Sequence, residues 1–524
     1  MASYEPRYQH TTSHHQPEYP ISIGTSNIKQ IFPSQTDLPM NFELLSSKLT
    51  RNLLLGLLLG ICVGFMTDRE ATLQGATLQG ENSASDTTAI SLQEFIARGL
   101  ENSGQMKYRE NDLSLAENQL QQAKLNRVVP SIRFSSQHGV IPGVTSSNPE
   151  LSDGALYLDP NLKNDWEDWA IFTRAEIDAI QPIYTWGGIR NSILAAEYAK
   201  TSSEEQVNAI RAEASIQLLE LYFSRLLAEE LRTILDDARS TTERVGEELK
   251  TLMDEGNPDL DEADLFKYEL FLADFVIQTA ELDQSESAVK RLWDYILQPE
   301  PRQTYRPSDP YLEEVNAELT PFETYQQSAF SHRPELKSVT AGMEAARLAV
   351  NATRSQNKPA ILLGITASYA NTPNRPRQTN PFIINSTNYA NAGIGIVLRQ
   401  NLNFATVQNQ IEKNEIRYRK VQDLEQALTD GLMLELTDAY TKAQVARVTL
   451  DQTKNKLQTA KNWVRHEQLN WDLGFGNVDN LIEAVQKEFE LRVELAQNIF
   501  DYNLMMARLH KAAGMPPEQL DEQD

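Results

Sequence analysis

The sequence predicts an α+β membrane protein in which long antiparallel α-helical hairpins are joined to four β-strands, with an internal two-fold repeat. Three observations support this prediction. Four short stretches alternate between apolar and polar residues with period two, which is typical of strands. Each of them is joined to a long stretch with helical periodicity, and the same order of elements occurs in both halves of the chain.

The clearest strand pattern lies at 171–180, where small or apolar residues alternate with charged ones. A strand of about ten to fourteen residues can cross a bilayer at the tilt found in outer-membrane barrels, with apolar side chains toward lipid and polar ones toward the lumen. An edge strand of a soluble sandwich is the alternative for this stretch alone. Across all four strands we assign Ile171, Ile177, Ile361, Ile365, Ile394 and Ile396 to the lipid face and Arg174, Glu176, Asp178 and Arg399 to the lumen.

The helix that follows this strand is predicted to be very long. No proline occurs between Gly187 and Asn257, and mostly apolar positions step by alternating threes and fours from Val207 to Leu252. This is a heptad pattern, and a helix from Gly187 to Leu252 would approach 100 Å in length. Further apolar residues at 216–227 widen the pattern, so we expect neighbours on more than one side. An ordinary dimeric coiled coil is the alternative if the strands are ignored.

Composition limits the classes of function. A formal net charge of −25 argues against nucleic acid as a partner. The single cysteine, Cys62, excludes a disulfide framework. The seven histidines have no metal-ligand spacing apart from three in the N-terminal tail, which we interpret as solvated residues. No catalytic motif and no phosphate-binding loop occurs, so we expect neither an enzyme nor a cofactor.

The N-terminal 66 residues are predicted to contain a secretory signal peptide. Residues 1–39 have no apolar periodicity, and Met40 could be the true start. The apolar run at 53–65 follows two basic residues and is short for a transmembrane helix. Cys62 invites a lipoprotein assignment, but the bulky isoleucine before it is unlike the small residue of lipoprotein signals.

The first repeat begins at Ser91, with Glu94 in the capping-box position of a helix that continues to Val129. A strand, a polar loop at 141–169, a second strand and the long helix follow. The second repeat has the same order, with its loop at 371–388, and both loops are expected outside the cell. The predicted domains are 1–66 (extension and signal peptide), 67–90 (polar linker), 91–298 (first repeat), 299–334 (connector or equatorial region), 335–514 (second repeat) and 515–524 (acidic tail).

Four strands cannot close a barrel, and open sheet edges cannot be left in lipid, so several copies would have to join. Over nearly the whole length from Ser91 to Gly514, the chain resembles the TolC-like outer-membrane channels of efflux and type I secretion systems, the outer membrane factors. The matching features are the duplicated helix, proline and strand, the junction Gln181-Pro-Ile-Tyr-Thr-Trp-Gly-Gly, the Gly474 turn followed by Val478 and Leu481, and the closing residues Leu495, Tyr502, Leu509 and Gly514.

The resemblance implies a homotrimer in the outer membrane of a Gram-negative cell, with a twelve-stranded β-barrel and a periplasmic α-barrel. Its implied partners are outer-membrane lipid, a periplasmic adaptor protein and, indirectly, an inner-membrane pump of the RND or ABC type. The implied function is the exit duct of a tripartite efflux or type I secretion system. A structural coiled-coil protein of the cell envelope without transport activity is the rival hypothesis, and the four strands argue against it.

The resemblance also suggests functional positions at the periplasmic end. Of the two acidic positions of the family near the narrow end, Glu483 occupies one and Asn480 the other, with Asp479 adjacent. An acidic insertion at 259–264 departs from the family pattern in the first hairpin turn. The predicted gate residues are therefore Asp479, Asn480 and Glu483, and the predicted adaptor-contact turns contain Gly256, Leu473, Gly474 and Phe475.

Overall fold

The computed structural model describes residues 86–148, 159–255, 262–377, 382, 385–473 and 478–519. The predicted signal peptide, Cys62 and three of the turn residues, Gly256, Gly474 and Phe475, lie outside these ranges. In the first half of the chain the elements are β1 (Asp86–Ile90), α1 (Leu92–Asn102), α2 (Gly104–Val128), β2 (Ser131–Thr145), β3 (Lys163–Tyr184), α3 (Gly188–Asp254) and α4 (Glu262–Leu297). In the second half they are β4 (Gln303–Pro307), α5 (Phe322–His332), α6 (Pro334–Arg354), β5 (Ala360–Asn371), β6 (Tyr389–Arg399), α7 (Phe404–Asp472) and α8 (Val478–Ala512).

The four predicted strands form one antiparallel sheet in the order β2-β3-β5-β6, which confirms that part of the prediction. Ile177 in β3 pairs with Phe134 in β2 and with Ala367 in β5. Ile365 in β5 pairs with Ile394 in β6. Residues in one such row point to the same side of the sheet, because successive residues of a strand alternate between its faces.

The hairpin between β2 and β3 is longer than predicted. The expected loop at 141–169 is wrong in part, since β2 continues to Thr145 and β3 already begins at Lys163. A register shift between Pro142 and Gly143 separates this outer part of the ladder from the rest. In β3 it begins with three successive polar residues, Lys163, Asn164 and Asp165, so the regular apolar alternation that revealed the other strands is missing there.

Each strand of the sheet is joined to one helix, and the helices lie in the same order as the strands. Near the sheet, α2 packs on α3, α3 on α6 and α6 on α7; farther away, α4 packs on α3, α3 on α8 and α8 on α7. At 67 and 69 residues, α3 and α7 each extend about 100 Å and span both levels. Among the helices in the described ranges, not one combines the length and apolar character needed to span a bilayer.

Two local predictions need correction. Ser91 does cap α1, with its side chain accepting a hydrogen bond from the Glu94 N–H, but the helix predicted to run to Val129 is interrupted. Ser103 has extended backbone and caps α2 by accepting from the Met106 N–H. In addition, the last residues of the predicted linker form β1, which pairs in parallel with β4 of the connector.

The main hydrophobic core lies where the two levels of helices meet. Phe95, Tyr222 and Trp293 are almost fully buried and bring α1, α3 and α4 together, with the rings of Phe95 and Trp293 centred 4.4 Å apart. The Tyr222 hydroxyl donates to Asp309 of the connector at 2.7 Å, and burial raises its pKa. The connector between β4 and α5 is thereby attached to the bundle.

Candidate functional site

One face of the four-stranded sheet is apolar and exposed. The register places all six isoleucines that were predicted to face lipid on this face. Ile394 is 72% exposed and Ile171 is 65% exposed. Other exposed apolar residues on the same face are Ile132, Phe134, Val140, Tyr369 and Leu398. An apolar surface of this extent calls for an apolar environment or a partner.

Aromatic side chains lie at both ends of this apolar face. At the end far from the helices, Trp169 Nε1 donates to the Trp166 carbonyl oxygen at 2.8 Å. At the helix end, the rings of Tyr184 and Trp186 are centred 5.0 Å apart. The strand from Trp169 to Tyr184 is about 50 Å long, or about 38 Å along the membrane normal at a tilt of about 40°.

That height is close to the thickness of a bilayer including its headgroups, about 40 Å. Sequence analysis did not single out these aromatic residues. The signal was nevertheless present, because aromatic pairs at both ends of one alternating strand are typical of membrane interfaces.

The opposite face of the sheet carries the four charged residues predicted to face the lumen. Asp178 lies in a row between Arg133 and Thr366, and Glu176 lies between Ser135 and Ser368. Arg174 follows one row farther from the helices, and Arg399 pairs with Ala360 at the helix end of the same face. The two faces therefore differ sharply in polarity, as a wall between lipid and water would.

The segment after β5 folds back over the far end of the sheet on its polar side. Asn374 Nδ2 donates to the Asp168 carbonyl oxygen at 3.0 Å, and Arg375 donates to the Pro142 carbonyl oxygen at 2.9 Å. Thr372 and Asn388 hold the two sides of the segment together through the Thr372 N–H and Asn388 Oδ1, 2.7 Å apart. A cavity of about 210 Å³ lies beneath it, lined by residues that include Gln137, Phe172, Arg174, Ala370 and Ser386.

At the opposite end of the molecule, the starts of α4 and α8 are linked by an ion pair. Lys267 Nζ lies 2.7 Å from both carboxylate oxygens of Asp479. Asp479 and Glu483 are one helical turn apart in α8, while Asn480 and Glu483 are exposed. Leu473, which follows α7, is 60% exposed. The structure thus brings Asp479 together with a lysine that sequence analysis could not identify as its partner.

Close to this end, α3 and α4 approach each other at Gly246. A Cβ atom at this position would lie 2.0 Å from the hydroxyl oxygen of Tyr268, which is buried between the helices. Burial raises the pKa of Tyr268, and the nearby carboxylates of Glu243 and Glu247 raise it further. A side chain at 246 would therefore force the Tyr268 ring or the two helices to move.

A buried arginine joins three helices near the middle of the molecule. Arg333 is 3% exposed; its guanidinium donates to the Ala512 carbonyl oxygen at the end of α8 and to the Glu435 carboxylate of α7, the latter at 2.8 Å. Burial alone would raise the pKa of Glu435, but Arg333 and then Lys511 hold it below its ordinary value. These charges fix α7 and α8 to the α5–α6 junction.

No family model matches this chain, and no curated protein matches its sequence. Solved structures do match it in fold. The Campylobacter jejuni CmeC outer membrane channel has a TM-score of 0.62 at 14% identity, over 88% of this chain and 95% of that one. The open state of the Neisseria gonorrhoeae MtrE outer membrane channel has a TM-score of 0.62 at 14% identity, over 88% of this chain and 100% of that one.

The outer membrane protein VceC from Vibrio cholerae is similar as well, with a TM-score of 0.60 at 16% identity, over 81% of this chain and 96% of that one. The similarity extends over nearly the whole of each neighbour. The predicted resemblance to TolC-like outer-membrane channels is therefore confirmed at the level of the fold.

Proposed function

We propose that three copies of this chain form an outer-membrane channel that serves as the exit duct of a tripartite efflux or type I secretion system. The observation that carries this proposal is the four-stranded sheet with one exposed apolar face and one polar face. In the part of the chain that the structure describes, the outer edges of β2 and β6 have no strand partner. Unpaired edges are prohibitively costly in lipid, so β2 of one copy should pair with β6 of the next.

The outermost helices support the same side-by-side assembly. Near the sheet, the outer helices are α2 and α7, and their exposed residues Leu115 and Ile416 both lie about 20 Å from the sheet. At the opposite end the outer helices are α4 and α7, where the exposed residues Phe266 and Leu469 both lie about 5 Å from the helix ends. Neighbouring copies would bury both pairs.

The number of copies, three, is inferred from the resemblance to TolC-like channels and from the need to close the β-barrel. Barrels of this kind have even numbers of strands from about eight upward, so two or more copies of four strands could close one. Three copies would give twelve strands and continue into an α-barrel built from α3, α7 and their neighbours. The two halves of the chain, which share the order of helix, strand, strand and long helix, would act as two similar wall segments.

The remaining parts of the proposal concern partners and export. A signal peptide within residues 1–66 would direct the chain across the inner membrane. The helix ends around Leu473 would face a periplasmic adaptor, and a pump of the RND or ABC type would deliver substrate. Drug efflux, metal efflux and type I secretion all fit this arrangement.

The assembly is tested with detergent-solubilised full-length protein. We expect a particle with three times the mass of one chain by light scattering, and ion conductance after insertion into planar bilayers. A monomer or dimer without conductance would instead support the structural coiled-coil protein and overturn the channel.

At the periplasmic end we propose that Asp479 and Glu483 from three copies surround the narrow entrance. A poorly hydrated ring of carboxylates concentrates negative potential and favours cations. The alternative is that they are ordinary charges at a helix N-terminus, where carboxylates are favourable anyway. Lys267 distinguishes these two possibilities, because its positive charge partly compensates the negative charge of Asp479.

Single-channel recording with two variants provides the test. Asp479→Asn combined with Glu483→Gln should lower the preference for cations and weaken block by multivalent cations. Lys267→Gln should have the opposite effect, since it removes the positive charge that pairs with Asp479. Unchanged selectivity in both variants would show that the acids do not line the conduction path.

A further inference from the structure

We propose that the junction between the sheet and the helices binds the phosphate headgroups of anionic phospholipids, with Lys358 and Trp186 at the centre of the site. This inference rests on the proposed membrane insertion and adds a ligand that the channel function does not require. It places the surface around these two residues at the level of the lipid headgroups on the periplasmic side.

The first observation is the distribution of charge. The chain contains 73 acidic residues against 48 Lys and Arg, yet no Asp or Glu occurs at 118–149, 179–196 or 345–411. These three ranges contain all four connections between the sheet and its helices. The cations at the connections, apart from Arg399 on the polar face of the sheet, are Lys124, Arg127, Arg190, Arg354 and Lys358. A strongly acidic protein therefore has a basic belt at the level where the apolar face ends.

Stabilisation of helix ends does not explain this belt. Arg127 and Arg354 lie in the last turns of α2 and α6, where cations interact favourably with the helix dipole. Arg190, however, lies in the first turn of α3, where the dipole disfavours a cation. Arg354 is also paired with Glu415 at 2.7 Å, whereas none of the ion pairs in the described ranges involves Lys358.

The second observation is the placement of Lys358 beside the membrane face. Its Nζ lies 5.0 Å from the centroid of the Trp186 ring, and Trp186 Nε1 donates to the Pro359 carbonyl oxygen at 2.8 Å. Trp186 in turn contacts Tyr184, which pairs with Ile361 on the apolar face. A cation stacked on an exposed aromatic ring at the edge of an apolar surface fits a negatively charged headgroup.

The backbone holds Trp186 in this position. Trp186 has φ 53° and Gly187 has φ 83°, so two successive residues adopt the left-handed conformation as the chain passes from β3 into α3. This conformation is unfavourable for tryptophan and persists only where the surroundings enforce it. The ring is thus preorganised at the junction, which lowers the entropic cost of binding a headgroup.

The test measures lipid binding to the full-length protein in detergent by native mass spectrometry, during titration with phosphatidylglycerol or phosphatidylcholine. We expect wild-type protein to prefer phosphatidylglycerol. Each cation near an anionic headgroup strengthens lipid binding about fivefold. Lys358→Gln should therefore weaken phosphatidylglycerol binding about fivefold, and adding Arg190→Gln should weaken it about fivefold again. Lys358→Arg should retain the affinity, which guards against a variant that is merely misfolded.

Lys461→Gln is the matched control, because this exposed lysine of α7 lies about 85 Å from the sheet along the helix. Equal affinity for the two lipids in wild type, or an equal loss in the Lys461 variant, overturns the headgroup site. Conductance of the same wild-type preparation is recorded separately. A conducting trimer without lipid preference refutes only this inference, whereas lipid binding without trimers or conductance refutes the channel.

Discussion

Replacing Ile177 by arginine tests the assignment of the two sheet faces directly. Ile177 lies on the apolar face, seven residues from Tyr184 and eight from Trp169, so it is midway between the aromatic ends of the strand. An arginine at the middle of the lipid face of a barrel costs about 2–4 kcal/mol. That corresponds to a reduction of about 30- to 700-fold in the equilibrium constant for folding.

The assay is reversible folding into phosphatidylcholine vesicles, followed by tryptophan fluorescence as urea is varied. Thr366→Arg is the matched control, since Thr366 lies in the next row at nearly the same depth but on the polar face, beside Asp178. It should change the free energy of unfolding by less than about 1 kcal/mol. Equal losses in the two variants, or a larger loss for Thr366→Arg, would show that the apolar face does not contact lipid.

Two further predictions concern the helices, with thermal melting in detergent as the measurement. Gly246→Ala should lower stability by about 1–3 kcal/mol because its Cβ would collide with Tyr268. A Cβ atom added at Gly431 in α7 would meet no neighbouring group within 4 Å, so Gly431→Ala should be neutral or stabilising. Similar losses of stability in the two variants would refute the steric argument. Arg333→Met should cost about 3 kcal/mol at pH 7, the lower end of the range for a broken buried pair, since Glu435 remains partly exposed. The folded-state pKa of Glu435 lies below its ordinary value of 4.5, so the wild-type protein should lose stability as the pH falls through that region. The Arg333→Met variant should lose less stability over the same pH range. An identical pH profile for the two proteins would contradict the assigned role of Arg333.

The strands and helices whose apolar residues recur at a regular spacing were predictable from the sequence. The four strands of the sheet alternate sharply between apolar and polar residues, so their positions and the residues of each face were predictable. The long helices were readable from the apolar residues that continue without proline. The outer half of the β2–β3 hairpin was missed, because the successive residues Lys163, Asn164 and Asp165 are polar on both sides of the strand and leave no alternation to detect.

Contacts between distant parts of the chain could not be read in the same way. The pairing of β1 with β4 joins residues more than 200 positions apart through a parallel ladder, which no turn motif announces. The ion pair between Lys267 and Asp479 likewise depends on how α4 and α8 pack, and both residues look like ordinary surface charges in sequence. By contrast, the break at Ser103 had a readable signal, since serine is a preferred N-cap residue.

The pairing of β3 with β5 at the centre of the sheet also has a consequence for the order of folding. Thr173 pairs with Asn371, so the central ladder closes a loop of almost 200 residues, whereas β2 with β3 and β5 with β6 are local hairpins. Long-range pairing is slow, since the chain must be ordered over that distance before the contact forms. During synthesis, β3 therefore exposes an unpaired edge until the chain has been made past residue 371. Premature pairing of this edge with another copy during that interval would join the wrong strands.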